Sequence, residues 1–438
     1  MTTSRRTLDR EIFALAVPTF ATLVSEPLLL LADSAIVGHL GTDQLAGLGI
    51  AANVLGILIG LSIFLAYGTT GSVARRLGAG DRGGALATGF DGMVLAVLIG
   101  VGLSALLQAV LVPVVGLYDV SPAVADQAVA YLRIAAFGLP GVLLTLASTG
   151  VLRGLQDTRT PLYVVIVTNL TNIGLNLALV YGLGLGIAGS ALGTLLAQVA
   201  AAVVLATVVV RGMRHAGVRL GFHPAGVLGA ARTGVWLVLR TAALQAGITL
   251  TTVVAAGFGA VALAAHQVSV SIWTLLAFAL DAIAIAGQAI IGRALGAGNI
   301  GLGRSMTRRM IGWGVVFGIV FGLLIALTSP LYAGLFSPDP RVQALLPNVL
   351  VVMALATPIA GVVFVLDGVL IGAGDGRYLA LASLIALIAY VPAALAVQRS
   401  DAGLVWLWVA YGWYITARML TLLWRIRGNA WLRTGAAP

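Results

Sequence analysis

Apolar stretches of about 20 to 30 residues follow one another along the whole chain, separated by short clusters of Gly, Pro, Asp and Arg. A run of about 20 apolar residues is long enough to cross the hydrocarbon core of a bilayer as a helix. On this pattern spans are predicted at roughly 12–38, 47–74, 86–112, 126–150, 161–183, 187–210, 233–257, 262–292, 309–330, 345–371, 378–397 and 403–424. The expected fold is therefore an all-α polytopic membrane protein with twelve transmembrane helices.

The pattern also repeats. Shifting the chain by 218 residues lays Gly78-Ala79-Gly80 on Gly296-Ala297-Gly298, Pro122 on Pro340, Pro140 on Pro358, and Gly150-Val151-Leu152 on Gly368-Val369-Leu370. Gly154, Asp157 and Arg159 fall on Gly372, Asp375 and Arg377 without a gap. The shift moves the chain by six spans, an even number, so both halves have the same topology. Two parallel six-helix lobes related by an axis along the membrane normal are an arrangement that transporters use, with substrate handled between the lobes. The expected division is 1–215 for the first lobe, 216–232 for a basic, Gly-containing linker and 233–438 for the second lobe.

Composition agrees with the pattern. Of 438 residues 60% are hydrophobic and 9% charged, against about a quarter charged in a soluble protein. No cysteine is present, which excludes disulfides, Cys-zinc sites and Cys nucleophiles. All 25 basic residues are Arg. With the N-terminus inside, 22 of them fall at inner segments and three, Arg133, Arg341 and Arg399, at outer ones. Such a bias sets orientation and predicts both termini in the cytoplasm of a multi-pass protein in a bacterial plasma (inner) membrane. It also explains the formal charge of +10 without nucleic acid, which a mean hydropathy of +1.05 argues against. The first apolar span lacks a small-residue cleavage site and carries acids, so it is expected to be retained.

Acids inside spans call for an explanation, because a carboxylate costs roughly 2.5–3.5 kcal/mol to insert at a helix centre. The first span contains two: SEPLLLLADSAIVGHLG holds Glu26 and Asp33, seven residues apart, on one face and about 10 Å apart along the axis. Pro27 removes a backbone donor and is a candidate hinge. The fifth span carries Asn169, Asn172 and Asn176, a stripe of amides able to converge on Asp33. The sixth adds Ser190, Thr194 and Gln198 on one stripe. In the second half Gln245, Asp281 and Asp367 are secondary candidates for coupling or substrate contact. For the Asn, Gln, Ser and Thr stripes, hydrogen-bonding glue between helices is the alternative reading. His39 and His266 read as interfacial hydrogen-bonding residues, and Asp91 as an acid near an inner end with no assigned role.

The helix-1 string LLLLADSAIVGHLGTDQLAGLGIA resembles the first signature of the multidrug and toxic compound extrusion (MATE) family. ARRLGAGD, ALAAHQVSVSIWTLLAFALD, GQAIIGRALGAG and FVLDGVLIGAGD resemble its later signatures, closest to the DNA-damage-inducible F branch. The resemblance covers the whole chain. It implies a secondary antiporter, not an enzyme, that expels amphipathic, often cationic compounds in exchange for H⁺ or Na⁺. The family's first-lobe coupling acid matches Asp33 and its helix-5 polar set matches Asn172 and Asn176; several relatives have Asp where Asn176 stands. The helix-10 acid of other branches matches Asp367, whose helix-7 Glu partner has no counterpart beyond Gln245.

The expectation is a functional monomer that works among membrane lipids without a cofactor and moves small amphipathic molecules against H⁺, with Na⁺ at Asp33 as the rival coupling ion. A lipid or lipid-linked-precursor flippase of similar lobes is the alternative. A shortage of basic residues at membrane depth weighs against it. A membrane enzyme would need a catalytic cluster at one depth, and the acids are scattered through depth instead.

Overall fold

The computed structural model describes residues 5–336 and 338–436. Among these residues the chain is helical throughout and contains no strand. The long helices are α1 (Arg5–Gly38), α2 (Thr42–Gly78, with a break at Ile63), α3 (Arg82–Gly116), α4 (Pro122–Gly154), α5 (Arg159–Gly182) and α6 (Gly186–His215). The second half supplies α7 (Pro224–Gly257), α8 (Ala260–Gly296), α9 (Ile300–Phe336), α10 (Pro340–Gly372), α11 (Gly376–Arg399) and α12 (Gly403–Arg427). Eleven of them, α1 to α11, are long and apolar enough to cross a membrane.

The 218-residue repeat holds at the level of elements. Adding 218 to the bounds of α2 and α4 gives those of α8 and α10, Ala260–Gly296 and Pro340–Gly372. Helix ends are punctuated alike: Gly80 and its mate Gly298 both take the left-handed conformation, with φ of 79° and 72°, which glycine adopts without strain.

The interior contacts repeat as well. A Cβ on Gly150 would lie 2.5 Å from the Ala66 carbonyl oxygen, and one on Gly368 would lie 2.1 Å from that of Ala284. Gly154 and Gly372 meet the Thr70 and Gln288 carbonyls in the same way, and Gly100 and Gly318 meet Pro140 and Pro358. Each pair is offset by 218. Small residues four apart let two backbones touch, which is how helices pack in lipid, where no hydrophobic drive is available. Thr69 and Thr70 hydroxyls seal this contact on the Ala147 and Gly150 carbonyls at 3.3 and 3.1 Å.

The chain forms two compact units. One runs from Ala21 to Gly234; the other comprises Val235 onward together with the chain up to Phe20. In the first, Val37, Leu48, Val54, Leu111, Tyr131 and Leu132 belong to one apolar cluster. In the second, Trp273, Tyr390, Trp408, Tyr411 and Tyr414 form a continuous set of tilted and edge-on ring contacts. Helix α7 begins at Pro224, so the non-helical connection is shorter than the basic stretch suggests: residues 216–223 alone lie between α6 and α7. Proline is favoured at the first helical position because its missing N–H would have no partner there.

If these glycines set the helix spacing, Gly150→Val and Gly368→Val should each destabilise the protein by about 1–3 kcal/mol or more. Thermal unfolding in detergent is expected to show a comparable loss for both, and a much smaller loss for Gly102→Val, where nothing lies within 4 Å of the added carbon.

Candidate functional site

In the N-terminal unit α1, α5 and α6 bring a chain of polar side chains into the apolar interior. Asp33 is 4% exposed. Its Oδ1 accepts a hydrogen bond from Asn176 Nδ2 at 2.7 Å. The same amide donates to Asn172 Oδ1 at 3.0 Å, and Asn172 Nδ2 donates to Thr194 Oγ1 at 2.9 Å. Asn172 and Asn176 are four residues apart on α5, which puts them on one face. Gly193 on α6 makes room for them, since a Cβ there would lie 2.2 Å from Asn176 Oδ1. Tyr131 of α4, also buried, interacts with Thr194 and with the Asp33 charge. Beyond Asn176, α5 widens into a π-helical turn over Ala178–Gly182. There Tyr181 donates its hydroxyl to the Ile36 carbonyl of α1 at 2.6 Å. The segment of α1 that bears Asp33 is thus held on both sides by α5.

Among the described residues Asp33 has one hydrogen-bond donor and no cation within ion-pair distance. An ionised carboxylate only accepts hydrogen bonds, whereas a protonated one also donates. Asn176 can serve either state by offering its amide hydrogen or its oxygen, and that oxygen is buried without a hydrogen-bond partner. Asn169 is not in this cluster. Its Nδ2 binds the Ser25 carbonyl at 3.0 Å, and it borders a groove of about 190 Å³ with Ser25, Leu28, Leu29, Ile166 and Ile173. Glu26, next to that groove in sequence, is exposed at the surface of α1, as is Pro27 in part.

The C-terminal unit treats its acid differently. Asp367 of α10 is 3% exposed. Its Oδ2 accepts from Arg240 Nη2 of α7 at 2.7 Å and from Arg418 Nη2 of α12 at 2.5 Å. All three residues are buried. Arg240 and Arg418 therefore depart from the expectation that the inner arginines are peripheral markers of topology, and basic groups do reach the interior of this unit. A signal was available: each stands within an apolar helical run, VWLVLRTAAL and YITARMLTLL. Gln245 is exposed and Asp281 half-buried on α8; neither is seen to bind Asp367. His266 is a core residue and not an interfacial one, fully buried with Nε2 3.0 Å from Thr252 Oγ1. Asp91 is buried too, and faces His223 and the first turn of α7.

The repeat relates the two interiors. Asp33 and Asn172 have Thr251 and Tyr390 as mates 218 residues on. Those two side chains meet directly, oxygen to oxygen at 2.6 Å, whereas Asp33 binds Asn176, one turn beyond Asn172. The same α1–α5 crossing recurs as α7–α11, with a charged contact in one unit and a neutral one in the other.

The pattern of the MatE family matches residues 18–178 and 237–395, one match in each repeat. This chain is a member of the MatE family. It is 28% identical to Protein DETOXIFICATION 44, chloroplastic, of Arabidopsis thaliana, over 98% of this chain and 85% of that protein. It is 31% identical to the DNA damage-inducible protein F of Escherichia coli over 66% of this chain and 64% of that one. Its fold matches an outward-facing multidrug resistance MATE transporter with a TM-score of 0.87 at 22% identity, over 99% of this chain and 100% of the other. It likewise matches a MOP superfamily transporter from Pyrococcus furiosus with a TM-score of 0.86 at 21% identity, over 96% of each chain. The MatE member is thus a multi-pass membrane transporter of the multidrug and toxin extrusion family, and its relatives are transporters rather than enzymes.

The two buried acids should respond oppositely to neutralisation. Asp367→Asn leaves two guanidinium groups buried without their anion, a loss on the order of 3–5 kcal/mol. It is expected to lower thermal stability in detergent sharply. Asp33→Asn removes a buried charge that has no counter-cation and is expected to leave stability equal or higher.

Proposed function

We propose that this MatE transporter is an antiporter that exports amphipathic cationic compounds from the cytoplasm in exchange for protons, with Asp33 as the shared binding group. The observation that carries the reading is a buried carboxylate with an adaptable amide partner and no counter-cation among the described residues. In the ionised state Asp33 accepts from Asn176 and attracts a cation. In the protonated state it is neutral and the cation loses its counter-charge. Proton and substrate then compete for one group, and competition for one group is the simplest form of exchange.

A ligand shifts the equilibrium between two access states only by its differential affinity for them. Protonation from outside would favour the state that releases substrate outward; deprotonation inside would restore the cation site. Each inward proton gains roughly 2.3 kcal/mol per 100 mV of membrane potential. Glu26, exposed on the same helix, is suited to a first contact with the cation, and Pro27 to a change in the bend of α1. The arginine bias supports cytoplasmic termini in a bacterial inner membrane, and the assembly of the Asp33 site from one chain supports a functional monomer.

Sodium is the second reading. The buried Asn176 Oδ1 without a partner, with the Asp33 carboxylate, Asn172 Oδ1 and Thr194 Oγ1 nearby, offers the all-oxygen surroundings that a hard cation takes. The flippase alternative gains little from Arg240 and Arg418, because both are engaged by Asp367.

Purified protein in vesicles, loaded with a cationic dye, should move it uphill under a pH gradient in sodium-free buffer. Asp33→Asn should abolish uphill transport while the protein stays folded. Uphill transport by that variant at the parent rate would refute the reading, and strict dependence on sodium at zero pH gradient would move the assignment to Na⁺.

A further inference from the structure

Helices α1 and α7 both cross the boundary between the two compact units. The chain up to Phe20 is counted with the C-terminal unit, although the rest of α1 belongs to the N-terminal one. The start of α7, up to Gly234, is counted with the N-terminal unit, although the rest belongs to the C-terminal one. Each of these transferred ends lies against a side chain of opposite type, an acid facing a basic residue, inside the unit that receives it.

In the C-terminal unit Asp9 of α1 is gripped by Arg309 of α9 through two parallel bonds, Nε to Oδ1 and Nη2 to Oδ2, both 2.6 Å. Trp313 Nε1, one turn further on, donates to Oδ1 at 2.7 Å. Phe13 packs edge-on against the Trp313 ring at 4.7 Å. Glu11 pairs with Arg293 of α8. A bidentate guanidinium–carboxylate fork with a further donor is a stronger and more directional contact than an ordinary surface pair.

In the N-terminal unit the fastener of α7 is Asp91 of α3. His223, just before the first turn of α7, lies 3.4 Å from Asp91 Oδ1. The carboxylate sits against that first turn so closely that a Cβ on Gly226 would fall 2.0 Å from Oδ2. A carboxylate at the start of a helix is stabilised by the free N–H groups and the positive end of the helix dipole.

Positions 91 and 309 are separated by 218 residues. One member of each fastener therefore occupies the repeat-related position, an acid on the third helix in one and a base on the ninth in the other, while the partners, His223 and Asp9, fall about one helical turn apart under the same shift.

We propose that the acid–base contacts at these two repeat-related positions are latches that hold the starting ends of α1 and α7 in the unit opposite to the remainder of each helix, and that their release lets those ends detach during the transport cycle. Each latch secures its own helix and not the other. Exchanging the two charges of the C-terminal latch keeps their attraction, so the exchanged pair should preserve it.

The absence of native cysteine makes an introduced thiol the sole target of a maleimide in the full-length protein. Ala16 of α1 and Val227 of α7 are buried within the latched ends. Ala16→Cys and Val227→Cys should label slowly. Asp9→Arg should speed labelling at position 16 about tenfold and leave position 227 unchanged. Adding Arg309→Asp should restore slow labelling, since an aspartate there stays within a turn of the Trp313 N–H. Asp91→Asn and Gly226→Ala should each speed labelling at 227 and not at 16. Unchanged rates in Asp9→Arg, or fast labelling that persists in the exchanged pair, would overturn the proposal. Should Asp9→Arg fail to fold, a folded and slowly labelled exchanged pair supports the latch, and an unfolded one overturns it. The readout needs no transported compound or coupling ion, so it is separate from the exchange reading of Asp33.

Discussion

A carboxylate placed among apolar helices must find something to compensate the water it has lost. The chain meets this constraint twice, with opposite solutions. Asp367 is surrounded by two guanidinium groups, one from α7 and one from α12, and so ties three helices of its unit together. Asp33 is given one amide hydrogen and no fixed positive charge among the described residues. The first arrangement supplies its own counter-charge. The second leaves room for a proton or a cation, and everything proposed about exchange follows from that difference.

The duplicated framework shows why the difference can exist. Glycine contacts that set helix spacing are kept in both repeats, Gly150 on Ala66 and Gly368 on Ala284, because a side chain at either place would drive two backbones apart. The polar contact between the first and fifth helices of each repeat is also kept as a contact, but its chemistry is free to vary: Asp33 with Asn176 in one and Thr251 with Tyr390 in the other. Steric requirements are shared by the two copies, whereas charge is a property of each.

Much of this could be read along the chain. Apolar run length gave the helices, and the constant offset gave the duplication, because both are local or periodic properties. The spacing of Asn172 and Asn176 predicted a common face, on which Asp33 now sits. What escaped are contacts between residues far apart in sequence. Arg240 and Asp367 are 127 positions apart, and counting arginines for orientation treats each one as a surface group. Asn169 lies on the predicted stripe, yet about 10 Å of helix rise separates it from Asn176 and carries it down to the Ser25 carbonyl instead. Asp91 had no visible role because its partner, the first turn of α7, was read as linker.

The π-helical turn at the C-terminal end of α5 has a geometric outcome. An ordinary α-helix advances about 100° per residue, and a wide turn makes the rungs beyond it lag behind that rhythm. Tyr181 consequently points to Ile36, while Asn176, on the regular side of the widening, keeps its aim at Asp33. A single wide rung thus lets one rod present two differently phased grips to its neighbour, a vernier cut into the backbone.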